Sequence, residues 1–237
     1  MGISLGDAHV KYNPEKSIYK YEIAFNSNED KYLGYVKNFL KHNFGFIPSE
    51  YNRIDEATVV LSLGTKERVQ NLLKLGLKSG SKVANQVSVP KWIKRDFEWI
   101  INNLEQWNII YRPRVLGCLR GLIDTDGCFY IKHHKSSGYT AVSLQFCNAS
   151  RPLVEDFKDM CASIGIITSK VSEYTGTTEK GNKYISFRTS TESKEKVWNF
   201  INLVKPMKWV YNKNKIQNKL EDFGIKMKDV FVYKNKQ

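Results

Sequence analysis

The sequence predicts an α+β protein made of two pseudo-symmetric αββαββα repeats, with one small-sided helix from each repeat at the interface between them. Three observations predict it. The opening Gly2-Ile3-Ser4-Leu5-Gly6-Asp7-Ala8 returns in altered form 119 positions later, placing Gly2 on Gly121, Gly6 on Thr125, Asp7 on Asp126 and Ala8 on Gly127. Two further landmarks follow in the same order: Gly45-Phe46-Ile47-Pro48-Ser49 parallels Gly165-Ile166-Ile167-Thr168-Ser169, and residues 66–73 parallel 194–201. Between these landmarks lie short runs in which apolar and polar residues alternate, the period of a strand with one packed and one wet face. A duplication of about 110–120 residues accounts for all three, and a fixed repeat outranks any local assignment.

In the first repeat, residues 9–12 and 19–25 are expected strands around a turn that contains Pro14. Tyr19, Tyr21, Ile23 and Phe25 alternate with Lys20, Glu22 and Ala24. Asn28-Glu29-Asp30 has the composition of a helix start and leads into an apolar-periodic helix over 32–44. Residues 51–55 and 58–63 form the second expected hairpin, and Thr65 is placed to cap a helix over 66–75. The first repeat is bounded at 1–83. A connector over 84–112 follows, holding Val89-Pro90-Lys91-Trp92 and an amphipathic stretch from Phe97 to Trp107.

The second repeat, 113–204, opens on the apolar run from Val115 to Gly127. If that run is helical, Gly117, Gly121 and Thr125 fall one turn apart on a single face. A face without side-chain bulk lets another backbone approach closely, so it is expected to pack on the face bearing Gly2 and Gly6. Strands are expected over 128–133, 141–146, 169–174 and 183–188, with helices over 151–164 and from 192. Phe129, Ile131, Val142, Leu144, Phe146, Ile185 and Phe187 should face the helices. Tyr130, Lys132, Ser143, Gln145, Tyr184, Ser186 and Arg188 share the opposite, donor-rich face, which suits phosphates and base edges. A basic extension, 205–237, closes the chain, with lysines 205, 208, 213, 215 and 219 uninterrupted by an acid.

Composition narrows the partner. The 237 residues are 41% hydrophobic and 13% aromatic, as in a globular protein, and carry a net charge of +13. That excess of Lys and Arg calls for a polyanion, of which nucleic acid is the commonest. No apolar run approaches the ~18 residues of a spanning helix, and no signal peptide opens the chain, so no membrane partner is expected. Cys118, Cys128, Cys147 and Cys161 show no C-x-x-C spacing, and His133-His134 has no cysteine beside it, which argues against structural zinc. Reduced thiols point to an intracellular setting, a bacterial or archaeal cytoplasm or an organelle.

The chemistry centres on the ends of the two small-sided helices. An aspartate in a last turn faces the negative end of the helix dipole and is disfavoured by about 0.3–1 kcal/mol unless a cation is near. Packing the helices together brings Asp7 and Asp126 close, and two adjacent carboxylates repel unless a divalent ion separates them. Oxygen ligation without paired His or Cys suits Mg2+. Asp124 faces Leu5 in the repeat, so the duplication makes Asp126 the paired acid and Asp124 a supporting residue.

Leu119-Arg120-Gly121-Leu122-Ile123-Asp124-Thr125-Asp126-Gly127 resembles the motif of the LAGLIDADG homing endonucleases of the single-chain, two-motif type, and departs from it only at Arg120 and Thr125. The resemblance implies motif helices at the repeat interface and antiparallel sheets forming a DNA-binding saddle. It implies a monomeric, site-specific endonuclease that makes a double-strand break in a long DNA target. Its catalytic residues would be Asp7, Asp126, Lys82 and Lys213. Metal would be held at Asp7, Asp126, Ala8 and Gly127, as two or three Mg2+ ions for which Mn2+ or Ca2+ can substitute in binding. DNA contacts are expected from Lys11, Lys20, Glu22, Tyr130, Lys132, His134, Ser143, Gln145, Tyr184, Ser186, Arg188 and Lys208.

Two rivals differ in kind. Asp124-Thr125-Asp126-Gly127 is similar to the Asp-x-Asp motif of haloacid-dehalogenase-type phosphatases, but that reading needs a buried strand before Asp124. A calcium EF-hand is excluded, since Leu122 occupies its first ligand position. The other rival is non-catalytic: an intron RNA maturase or a DNA-binding regulator on the same fold.

Overall fold

The computed structural model describes residues 1–45, 47–54, 57–102, 111–178 and 181–231. Each repeat builds one four-stranded antiparallel sheet. In the first, α1 (Gly2–Gly6) runs into β1 (Ala8–Asn13) and β2 (Ile18–Asn26), then α2 (Asp30–Phe44), β3 (Ser49–Asn52), β4 (Thr58–Leu63) and α3 (Lys66–Lys74), with strand order β1-β2-β4-β3. After α4 (Lys91–Asn102), the second repeats the plan with α5 (Tyr111–Asp126), β5 (Gly127–His134), β6 (Tyr139–Asn148), α6 (Arg151–Ser163), β7 (Ser172–Thr177), β8 (Lys183–Thr191) and α7 (Lys194–Val204). Its order, β5-β6-β8-β7, is the same order shifted by four strands. The basic extension folds as α8 (Met207–Glu221) and α9 (Met227–Phe231). The predicted two αββαββα repeats are thus the observed architecture. The amphipathic connector is helical through Asn102, and the rest of its expected span, 103–107, lies outside the described residues.

Period-2 patterning sets the faces. In β1 and β2, Ala8, Val10, Tyr21, Ile23 and Phe25 are buried, whereas His9, Lys11 and Lys20 are exposed. Register places His9 opposite Glu22 and Lys11 opposite Lys20, so the polar residues share one face. On the packed face of the second sheet, Phe146 stacks on Phe157 of α6 at 4.4 Å and Phe129 meets Trp209 of α8 edge-on at 5.3 Å.

One apolar residue of the expected packed face is left uncovered. Ile185 is 52% exposed, because pairing of β8 with β6 ends at Phe187–Asn148 and the β7–β8 hairpin projects beyond the sheet and its helices. Thr65 stands at the N-cap of α3, but its side chain makes no capping bond. At α7 the cap is made, with Ser193 Oγ accepting from Lys196 N at 3.4 Å.

The two repeats meet backbone to backbone along α1 and α5. A β-carbon on Gly2 would overlap Cys118 O and Gly121 Cα, and one on Gly6 would overlap Thr125. Gly121 is equally closed, facing Ile3 N and Gly2. The small face therefore runs Gly2–Gly121 and Gly6–Thr125, in the register of the 119-residue repeat. Gly117 is a correction: it is exposed, with nothing within 4 Å of a built β-carbon. The closest backbone approach of α1 to α5 is at Gly2, which faces Cys118 O and Gly121.

Thr125 replaces the motif's small residue without loss of contact. Its hydroxyl donates back to Gly121 O at 2.9 Å and Leu122 O at 3.0 Å, which satisfies it within its own helix. Arg120, the other departure, donates from Nε to Val204 O at 2.7 Å and so binds a carbonyl in the last turn of α7.

Candidate active site

Asp7 is the C-cap of α1 and Asp126 the last residue of α5, so both carboxylates emerge where their helix dipoles are negative. The crossing at Gly6 and Thr125 sets them side by side; a β-carbon on Gly6 would stand 3.0 Å from Asp126 Oδ2. Burial pushes the Asp7 carboxyl up to about 7, and the Asp126 charge adds to the shift while Lys208 and Lys82 oppose it. Asp126 is also raised by burial, with Lys82, a hydrogen bond from Asn148 and Lys208 pulling it back. Asn148 Nδ2 donates to Asp126 Oδ2 at 2.9 Å. Its Oδ1 accepts from Ser150 N at 2.8 Å, so the turn at the end of β6 holds the amide in place.

Two lysines occupy equivalent places. Lys82 Nζ donates to Gly6 O, the carbonyl before Asp7. Lys208 Nζ donates to Thr125 O, the carbonyl before Asp126, at 2.7 Å, and to Gly127 O at 2.9 Å. Gly6 and Thr125 are repeat mates, which makes Lys82 and Lys208 mates in space. Burial lowers the Lys82 ammonium while Asp126 and Asp7 raise it, so both acids lie within its field.

Lys208, expected only as a DNA contact, thus takes the position assigned to Lys213. Lys213 is five residues further along α8, about 140° around the helix. It lines a separate 520 Å³ pocket with Trp198, Trp209, Met227 and Phe231. The spacing of lysines carries no signal for this, because the place of Lys208 is set by a contact with Asp124 of α5. Asp124 is 3% exposed and its Oδ1 accepts from Lys208 N at 2.8 Å. Asp124 lies within helix α5, where a phosphatase of the Asp-x-Asp type needs a strand leading into it.

From Asp126 a groove of about 480 Å³ runs over the wet face of the second sheet, lined also by Lys82, Gln145, Asn148, Tyr174, Tyr184, Ser186 and Arg188. Arg188 lies over the Tyr174 ring at 5.4 Å. Tyr130 is partly buried on the same face. Lys132 and His134 share one carboxylate, Glu192, at 2.5 and 2.8 Å. In the first sheet, Glu22 accepts from Tyr51 at 3.0 Å and pairs with Lys20 at 3.5 Å, with Lys11 exposed beside them. Ser143 is not available: it is on the expected face, but fully buried in a central strand opposite Tyr130, its hydroxyl without a hydrogen-bond partner. Ser186 is also mostly covered, at 8% exposure, though it still lines the groove.

The donor set fits a hard divalent cation. Two partly covered carboxylates lie within each other's field, and their raised affinity for protons is what a cation between them would relieve. Among the described residues no group of three His, Cys, Asp or Glu gathers to hold a metal through side chains alone, so other ligands must complete the shell. Ala8 and Gly127, the expected backbone neighbours, stand directly after the acids as the first residues of β1 and β5. All four cysteines are free, and among the described residues no helix is long and apolar enough to cross a membrane.

Helices that cross on glycines, end in paired acids and feed two sister sheets define a class, that of the two-repeat LAGLIDADG fold. Residues 114–205 match the LAGLIDADG-like domain family. Among solved structures, that of I-DmoI in complex with DNA and Mn aligns over 86% of this chain and 92% of its own, at 13% identity and a TM-score of 0.50. The I-LtrWI LAGLIDADG homing endonuclease bound to target DNA aligns over 93% and 88%, at 13% identity and 0.49. The first of these shows the fold. No curated protein sequence is a significant match.

Proposed function

We propose that the chain is a site-specific homing endonuclease that makes a double-strand break in a long DNA target by divalent-metal-dependent phosphodiester hydrolysis. One observation carries this reading: Asp7 and Asp126 meet at the helix crossing, each with a lysine on the carbonyl that precedes it. A paired arrangement has a physical use, since a duplex presents two scissile phosphates of opposite strands. The net charge of +13 and the donor-rich groove that ends at Asp126 suit a polyanion. The fold neighbour I-DmoI is described in complex with DNA and Mn, in line with both the partner and the ion.

Asp7 and Asp126 would hold Mg2+, with Ala8 and Gly127 contributing backbone oxygens. When bound, the ion supplies Lewis-acid stabilisation of charge developing on the phosphodiester oxygens. The chain's own contribution is placement. Asn148 fixes the orientation of Asp126, and the Lys82 and Lys208 ammoniums set positive charge beside each scissile position, where the pentavalent species is most negative. The polar sheet faces would track phosphates and read base edges.

The test is cleavage of a plasmid library of randomised sites with Mg2+, followed by sequencing of the linear products. Linear DNA cut at one site, abolished by Asp7→Asn or Asp126→Asn, is the expected result. Binding of DNA or intron RNA without cutting, unaffected by either substitution, would assign the chain to the non-catalytic maturase or regulator reading.

A further inference from the structure

Helix α8 follows Pro206, whose side chain offers no oxygen, and its N-cap makes no side-chain bond. The missing cap comes from another helix. Asp124 Oδ1 accepts from Lys208 N at 2.8 Å, in the first turn of α8. A helix N-terminus carries unsatisfied N–H groups and a positive dipole end, so a buried carboxylate is well placed there. The residue whose amide is capped is the one whose Nζ reaches Thr125 O and Gly127 O on either side of Asp126.

The first repeat does this differently. Leu5, the mate of Asp124, is 3% exposed and apolar. Lys82 instead stands in a loop pinned to β1, where Gly80 N donates to Val10 O at 2.9 Å and Ser79 Oγ accepts from Tyr12 N at 2.9 Å. Asn85 Nδ2 closes that loop on Ser79 O at 2.9 Å.

We propose that Asp124 is a positioning residue that fixes Lys208 beside Asp126 by capping α8, so that the motif helix itself sets one of the two lysines and a loop sets the other. Loss of the cap should then impair one centre and spare its mate. The catalytic half of this inference rests on the endonuclease reading; the structural half does not.

The structural half is tested by timed reductive methylation of metal-free protein, with mass spectrometry of each lysine. Asp124→Leu, which copies Leu5, should raise the labelling rate of Lys208 by about fivefold to tenfold, the weight of one lost cap. Lys82 should label as before, and Asp124→Asn, which retains a capping oxygen, should match the unsubstituted chain. An unchanged Lys208 rate in Asp124→Leu, or Lys208 and Lys82 rising together, overturns the proposal. If Asp124→Leu fails to fold, Asp124→Ala is read in the same way.

The catalytic half uses a supercoiled plasmid bearing a site selected from the library above. Asp124→Leu and Lys208→Gln should each accumulate nicked circles, and the double variant should nick no more slowly than Lys208→Gln. Equal slowing of both strands would remove the one-centre assignment. A chain that cleaves nothing would sink the endonuclease reading while the labelling result still decides the Asp124–Lys208 link.

Discussion

Gly2 and Gly121 face each other so closely that a β-carbon built on either lies 2.8 Å from the Cα of the other. The obstacle is backbone on both sides, so no rotamer change relieves it. Gly121→Ala should therefore cost about 1–3 kcal/mol or more through displacement of α1. The change should appear as a lower midpoint in thermal unfolding.

Gly117→Ala, one turn away on the same helix, should act in the opposite direction. Nothing lies within 4 Å of its built β-carbon, and it is exposed. Alanine there gains about 0.5–1 kcal/mol from helix propensity, a rise of roughly 1–4 °C for a chain of this size. A loss of stability at Gly117 would mean that the helix face extends further than the contact at Gly2.

Paired acids cost stability when no cation is present, and the pH dependence has a definite sign. Asp7 is pushed up to about 7, chiefly by burial and then by Asp126, from an ordinary value of 3.8. The folded state thus retains a proton that the unfolded state has lost between these values. Stability from this group is fully present below the unfolded value and is lost as pH rises through about 7. In chelator, Asp7→Asn should raise the unfolding midpoint at pH 8 by an amount on the order of a few kcal/mol in stability, and the gain should vanish near pH 4. A difference independent of pH would show that the substitution acts through packing instead.

What could be read in the sequence follows from how local each signal is. Strand faces and the pairing of Asp7 with Asp126 were legible, because period-2 burial and the 119-residue register are one-dimensional patterns. Lys208 was not legible as the mate of Lys82, since its place depends on the start of α8 and on a cap donated by α5. Ser143 and Ile185 failed for a related reason. Alternation predicts which face a residue takes, but neighbouring strands decide whether that face is covered, as at Ser143, or ends in solvent, as at Ile185. The small face was legible at Gly121 and Thr125 and over-extended at Gly117, where a β-carbon would meet nothing within 4 Å.

Asn148 should separate orientation from charge at the acid pair. Its amide donates to Asp126 Oδ2 at 2.9 Å and carries no charge of its own. On the proposed endonuclease reading, Asn148→Ala should leave DNA affinity nearly unchanged and slow single-turnover cleavage about 10–100-fold, the usual weight of an outer partner if Asp126 holds a metal ion. Lys208→Ala should slow cleavage at least as much. Lys213→Ala, in the pocket with Trp198 and Phe231, should leave the rate unaltered. Equal defects at Lys208 and Lys213 would return the second lysine to where spacing first placed it.

Arg188 offers a test of how the groove holds its partner. It is exposed on the wet face of β8, lies over Tyr174 at 5.4 Å and lines the groove that also contains Asp126. Stacking on an aromatic ring holds the planar guanidinium in one plane without consuming its donors, which suits a phosphate at the groove wall. If Arg188 neutralises one phosphate, log Kobs should fall with log salt less steeply in Arg188→Gln, by about 0.9 in slope, with affinity reduced alike for all sequences. The measurement is a salt titration of binding to the selected site and to unrelated duplex, in Ca2+ so that cleavage does not interfere. An unchanged slope combined with relaxed discrimination at one base pair would instead mark Arg188 as a base reader, because a contact to a base edge releases no counterion.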